Sequence, residues 1–353
     1  MEKIKEFENQ ILQEDLESVL TSNIPLSMLE SKVILVTGAT GLVGSMIIRS
    51  LLYANIKLQL NIKVLAVIRN EEKAKQIYGE LIKLPEFKLI VNDIRNNIII
   101  EENVDYIYHC ASITTSKIMI EKPVETLLTA VEGTKNLLEL AVEKKVKSFV
   151  YVSSMEMYGK TEDNVGDVKE TDLGYIDPLA VRSNYPESKR LCENMCIAYM
   201  EEYGVPIKIA RLAQTFGAGI LPGENRVFAQ FARSVINKKD IILHTEGKSE
   251  GNYCYTRDMV EGIILILLKG KNGEAYNVSN PITHTTIANM AEMVANKIAN
   301  GKIKVVYDIP ETNTFGYAAD TKMKLNSDKL MKLGWEPKVN LEEAYRRLIL
   351  SLI

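Results

Sequence analysis

Between residues 32 and 212, short apolar runs rich in β-branched residues alternate with longer stretches of helical character. The runs are KVILVT (32–37), NIKVLAVI (61–68), FKLIV (87–91), VDYIYH (104–109), KSFVYVSS (147–154) and VPIKIARL (205–212). Strands that are apolar throughout, rather than at alternate positions, are buried on both faces. Helices between them supply the two coverings: near 42–54, 71–82, 123–144 and 184–203. The third has a proline at its start, where a missing N–H costs little. The pattern predicts an α/β fold, a doubly wound parallel sheet of the Rossmann type.

The flanks read differently. Residues 1–30 form an N-terminal helical extension, with Ile11, Leu12, Leu16, Val19 and Leu20 on one stripe. Residues 31–212 are the dinucleotide-binding domain. Residues 213–353, with glycine-rich loops, shorter helices and AYNVSN (275–280), predict a smaller C-terminal α/β substrate-binding lobe, with some crossing of the chain between lobes. Its helices are expected over 226–237, 285–299, 327–333 and 341–352.

Composition narrows the function class. The formal net charge is −3 with dispersed basic residues, which argues against nucleic acid and an anionic membrane surface as partners. No apolar run is long enough to span a bilayer, and MEKIKEFENQ is too polar for a signal peptide. The expected location is cytoplasmic. There are four cysteines and three histidines. Cys192 and Cys196 share a helix face, but packing explains them better than metal binding, so no metal is expected.

The first strand runs into TGATGLVG. Gly38, Gly41 and Gly44 follow a strand and open a helix, the context that makes a glycine fingerprint meaningful. A tight turn, close approach of a pyrophosphate and free N–H groups at a helix N-terminus then fall together over Thr40, Leu42 and Val43. The expected cofactor is NAD(P). The second strand ends in Arg69 and Asn70, without the carboxylate that usually holds the ribose hydroxyls. Arg69 instead suits a 2′-phosphate, so the reading favours NADP over NAD. Asp93 is a candidate for the adenine amino group or a loop cap. Ala111 and Ser112, in HCAS, follow the fourth strand where small residues let the cofactor approach; His109 reads as a packed residue.

These pieces resemble the extended short-chain dehydrogenase/reductase family, in particular the NAD-dependent epimerase/dehydratase branch acting on nucleotide sugars. The resemblance rests on TGATGLVG, NDI (92–94), HCAS, EGTKNLLE (132–139), VSSMEMYG (152–159) and YPESK (185–189), and covers residues 32 to 350. It implies Ile94 beside Asp93 at the cofactor, and a catalytic pair in Tyr185 and Lys189. A free tyrosine, with pKa about 10, is a poor base at neutral pH; the lysine and a cationic nicotinamide both favour phenolate. Ser154 matches the hydroxyl that bonds the reacting oxygen, with Ser153 as its alternative.

In such enzymes oxidation at C4 of the sugar opens epimerisation, dehydration or decarboxylation. Glu156 matches both the elimination base of dehydratases and the glutamate of decarboxylases, whereas Met155 departs from the acid of one dehydratase type. RSNYPESKR, ASITTS and ETLLTAVEGT are similar to UDP-glucuronate decarboxylases. Gly251 or Asn252 stands where that group carries an arginine, Ala130 where many members have asparagine, and Gln214 replaces a further asparagine at the nucleotide sugar. Arg226, Arg257 and Lys248 are the remaining candidates for its diphosphate. The resemblance also implies a homodimer through helices 123–144 and 184–203. Two other readings stay open: a net NADPH-dependent carbonyl reductase, and a cofactor-binding sensor without catalysis.

Overall fold

The computed structural model describes residues 7, 9–161, 166–221, 223–310 and 321–353. Helix α1 (Gln10–Thr21) leads to β1 (Val33–Thr37). The chain then runs through α2 (Leu42–Leu58), β2 (Lys63–Ile68), α3 (Glu71–Tyr78), β3 (Phe87–Val91), β4 (Tyr106–His109), α4 (Ser116–Glu121), α5 (Pro123–Lys144), β5 (Ser148–Ser154), α6 (Asn184–Tyr203) and β6 (Ile207–Leu212). Beyond β6 follow β7 (Gln214–Phe216), α7 (Val227–Asn237), β8 (Ile241–Leu243), β9 (Glu250–Gly251), β10 (Tyr253–Tyr255), α8 (Thr256–Lys269) and β11 (Ala275–Val278). The C-terminal part holds β12 (Thr285–Thr286), α9 (Ile287–Met293), β13 (Val305–Tyr307), α10 (Asp328–Met331) and α11 (Leu341–Leu352).

Seven strands form one sheet in the order β11-β6-β5-β4-β1-β2-β3, and every pair is parallel. Successive residues of β1 enter different cores. Ile34 and Val36 join Leu51, Leu52 and Ile263 on one face, while Leu35 joins Leu137, Phe149 and Ile207 on the other. Cys192 and Cys196 are fully buried in this second core. The strand order reverses between β1 and β4. In an open parallel sheet, ligands bind at the carboxyl ends of the strands beside such a reversal.

The separate 213–353 lobe is only partly what forms. AYNV becomes β11, the seventh strand of the main sheet, beside β6. Its crossover helix, α8, is buried from Met259 through Leu267 and packs in the core shared with α2 and α1. A helix apolar on nearly every side belongs inside a body, not on a small lobe. The lobe proper is left with a core of Phe216, Phe228, Phe231, Tyr253, Met290, Val294, Tyr345 and Leu348. Its expected helix over 285–299 divides into α9 and a π-helical turn, Val294–Ile298.

The N-terminal helix docks on this body through its expected stripe, burying Leu12, Leu16 and Val19. It also buries a charge that the stripe does not disclose. Asp15 accepts the Tyr255 hydroxyl at 2.6 Å and the Arg347 guanidinium at 2.8 Å. Nearby, Asp258 takes Arg257 at 3.0 Å and the backbone N–H groups of Lys338 and Val339. Glu261 lies 3.9 Å from Arg257, and among the described residues its Oε1 has no hydrogen-bond partner.

Burial, and then the like charge of Asp258, push the Glu261 carboxyl from 4.5 to about 7. The folded protein thus keeps a proton that the unfolded chain releases, and folding loses stability as pH rises from about 4.5 to about 7. Glu261→Gln is expected to melt with the native protein near pH 4 and above it at pH 8, by up to roughly 3 kcal/mol. Calorimetry at the two pH values checks this, and identical curves at pH 8 would refute it.

Candidate active site

The turn after β1 is shaped for a ligand that approaches the backbone. Gly38 has φ +63°, and a Cβ there would stand 2.7 Å from the Ala111 nitrogen; one on Gly44 would stand 2.5 Å from the Gly38 oxygen. Gly41 caps α2 without any side-chain hydrogen bond, so the N–H groups of the first turn are not taken by a cap. Thr40, Leu42 and Val43 are half-buried around this helix start. An uncapped N-terminus on a 17-residue helix, at the reversal of the sheet, fits a pyrophosphate. Ala111 and Ser112 lie opposite, half-buried beyond β4. His109 is packed: Nδ1 meets Thr37 Oγ1 at 2.8 Å and Nε2 meets Thr134 Oγ1 at 3.1 Å. Burial lowers its pKa to about 3, so it stays neutral.

After β2, Arg69 is exposed, and Asn70 caps α3 by accepting from Lys73 N. Glu71 and Glu72 both pair with Lys75. Asp93 is engaged by Arg95, through Nη2 at 2.9 Å and the backbone nitrogen at 3.0 Å, which holds its carboxyl below the ordinary range. Ile94 is buried against α5, where Gly133 leaves the space it fills, and its carbonyl accepts from Asn136.

Tyr185 and Lys189 lie one turn apart on α6, with 6% and 3% exposure. The lysine ammonium donates to Val152 O at 2.8 Å and stands 5.7 Å from the Tyr185 ring centre. Ser154, at the last position of β5, accepts from Glu156 N at 3.2 Å and acts on the nearby Tyr185 hydroxyl. Ser153 points away, buried, with its hydroxyl unpartnered. The sequence reading expects Lys189 to lower the tyrosine pKa. Burial wins instead, followed by the Glu156 charge, and raises it to about 12; Ser154, Arg182 and Arg226 oppose this. The Lys189 ammonium meanwhile donates to the Val152 carbonyl.

Glu156 sits on a 3-10 turn, Met155–Tyr158, that continues β5. Its carboxylate takes Arg182 Nη2 at 2.9 Å. Arg182 was legible only as the residue three before Tyr185, and sequence reasoning assigned it nothing. The same holds for Arg190, whose guanidinium donates to the carbonyls of Met157, Tyr158 and Gly174 at 2.7, 3.0 and 2.6 Å. It fastens the Glu156 turn to the helix of Tyr185. One turn beyond Lys189, Glu193 pairs with Arg211 of β6 at 2.7 Å, both nearly buried, and Arg211 also reaches the Tyr158 hydroxyl at 3.0 Å. Removing one partner of such a pair costs on the order of 3–5 kcal/mol, because a charge is left buried alone.

The substrate-side candidates separate. Gln214 is half-buried at the start of β7, and Arg226, paired with Glu224 at 2.7 Å, caps α7 and acts electrostatically on Tyr185. Lys248 pairs with Glu246. Arg257 belongs elsewhere: it is 12% exposed, inside the buried carboxylate cluster under α1. An arginine preceding an aspartate looks like a free cation in sequence, and the fold turns it inward. Asn252, one of two positions for the missing arginine, is buried and braces Asn280 O and Leu325 N.

The chain matches a family model, curated relatives and solved folds. The model of the NAD dependent epimerase/dehydratase family matches residues 34–279. UDP-glucuronic acid decarboxylase 1 of Xenopus tropicalis is 30% identical over 95% of this chain and 76% of its own length. UDP-glucuronic acid decarboxylase 3 of Arabidopsis thaliana is 31% identical over 88% and 86%. In fold, an epimerase of Methanothermobacter thermautotrophicus superposes with TM-score 0.77 at 22% identity, over 97% of this chain and 95% of that one. UDP-glucuronic acid 4-epimerase of Bacillus cereus, solved with UDP-glucuronic acid and NAD, gives 0.73 at 22%, over 90% and 98%. With the family model spanning most of the chain, this protein belongs to the NAD dependent epimerase/dehydratase family.

Proposed function

We propose that the protein oxidises a nucleotide-activated uronate at C4 and then decarboxylates it, a UDP sugar being the substrate its relatives' names favour. The observation that carries this is the Glu156–Arg182 pair beside the Tyr185 ring, with Ser154 acting on the same hydroxyl. When bound, the oxidised nicotinamide supplies a hydride acceptor and the positive charge that turns the tyrosine toward phenolate. Tyr185 then takes the C4 hydroxyl proton, with Ser154 holding the oxygen. The C4 ketone is β to the C6 carboxylate. The C5–C6 bond breaks, carbon dioxide leaves, and the electron pair passes to the C4 oxygen, where the Tyr185 and Ser154 hydroxyls stabilise it. Glu156 manages the proton that enters at C5, and return of the hydride to C4, with Tyr185 giving back the hydroxyl proton, would leave the cofactor as it began. Isotope-resolved product analysis with UDP-glucuronate is expected to show loss of carbon dioxide without net use of cofactor. Tyr185→Phe is expected to slow it by about 10²–10⁴-fold. Stoichiometric consumption of NADPH with a keto-sugar would instead establish the reductase reading.

For the cofactor, the exposed Arg69 and the absence of a free carboxylate beside it support NADP. Arg69→Ala is expected to weaken NADP binding about tenfold and NAD binding little, by titration calorimetry. Equal losses for both would overturn the preference.

A homodimer is supported by an apolar stripe over α5 and α6, where Val124, Leu127, Leu128 and Leu191 are 66%, 37%, 42% and 48% exposed. Leu128→Asp combined with Leu191→Asp is expected to sediment as a monomer while the native protein sediments at twice the mass. A cytoplasmic location is supported by four cysteines that are all unpaired. No helix among the described residues is long and apolar enough to cross a membrane.

A further inference from the structure

Arg182 is held but not used up. A guanidinium has five N–H donors. Among the described residues, Arg182 makes one hydrogen bond, from Nη2 to Glu156 Oε2 at 2.9 Å. Its side chain is 29% exposed and that of Glu156 37%, so the pair faces solvent. Its Cζ lies 5.8 Å from the centre of the Tyr185 ring, which places the guanidinium beside the tyrosine.

The other cations near this hydroxyl are committed. Lys189 is buried and turned onto Val152 O. Arg226 is bound through Nε and Nη2 by both oxygens of Glu224. From β9 no cation can enter: residue 251 is glycine, and a Cβ there would come nearest to the Met155 methyl, 3.9 Å away. Among the described residues, Arg182 is therefore the cation left with donors to give on the Glu156 side of Tyr185.

We propose that Arg182 is a specificity-determining residue that receives the carboxylate of the sugar, exchanging its single bond to Glu156 for a two-pronged bond to a nucleotide-activated uronate. A guanidinium offers parallel N–H groups that match a carboxylate. A hexose, with a neutral hydroxymethyl group in that place, leaves Arg182 on Glu156 and gains nothing. The role is selection rather than rate. Decarboxylation carries negative charge away from the carboxylate, so a cation fixed on it favours the bound substrate over the transition state. This separates Arg182 from Tyr185 and Ser154, which meet the charge where it arrives.

The inference rests on the uronate reading for its ligand, but its test does not rest on carbon dioxide release. The affinity of the cofactor-loaded protein is measured for UDP-glucuronate and for UDP-glucose. The native protein is expected to prefer the uronate by about tenfold or more. Arg182→Met removes that preference by weakening the uronate alone, and Arg182→Lys keeps part of it. Glu156→Gln, which releases Arg182, tightens uronate binding. In turnover, Arg182→Met raises KM for the uronate. Equal native affinity for the two sugars, an intact preference in Arg182→Met, or equal weakening of both sugars would each overturn the inference. A preference that Arg182→Met abolishes, in a protein that releases no carbon dioxide, upholds the inference and refutes the decarboxylase reading.

Discussion

The hydrogen bond from the buried Lys189 ammonium to Val152 O fixes the relation on which the site depends. A lysine with 3% exposure must find an acceptor, because an unpaired buried ammonium is costly. The acceptor it finds is a carbonyl of β5, two residues before Ser154. That single bond joins the helix bearing the tyrosine to the strand bearing its serine partner. Its consequence for the tyrosine is indirect. Burial governs the phenol and pushes its pKa up to about 12. In the proposed reaction the base is therefore conditional: it requires a positive charge that arrives with a ligand.

Behind this contact stands a second tier of arginines. Arg190 holds three carbonyls around the Glu156 turn, and Arg211 holds Glu193 and Tyr158. Neither faces the ring of Tyr185. Both stiffen the junction of β5 and α6, so the distance between the tyrosine hydroxyl and the glutamate is set by a lattice of charge-assisted bonds. The glycine turn after β1 is set differently, by the absence of side chains where backbone segments nearly touch.

The doubly wound sheet was legible because burial on both faces writes itself as uninterrupted apolar runs, and the glycine turn because only glycine meets its geometry. Tyr185, Lys189 and Ser154 were legible through their order and place at strand and helix ends. What escaped was every feature decided by long-range pairing. Asp15 meets Arg347 across 332 residues, and nothing in ILQEDLESVL marks that aspartate as buried. AYNVSN looked like part of a lobe because its partner strand lies before the lobe begins. Arg257 was taken for a ligand because its neighbours in space were unknown. Lys189 was expected to act on the phenol directly, and spacing along a helix does not say where an ammonium points.

The strand that closes the sheet comes late. β11 pairs with β6, yet the chain between them must first traverse β7 through α8. Until Val278 has left the ribosome, β6 offers an unpaired row of N–H and C=O groups along the nascent domain. The lobe therefore grows while its host is still open on one side. Closing that edge requires a contact between segments far apart in sequence, a slow class of folding event. During that interval the exposed β6 edge is where a chaperone or a second nascent copy finds a strand to pair with.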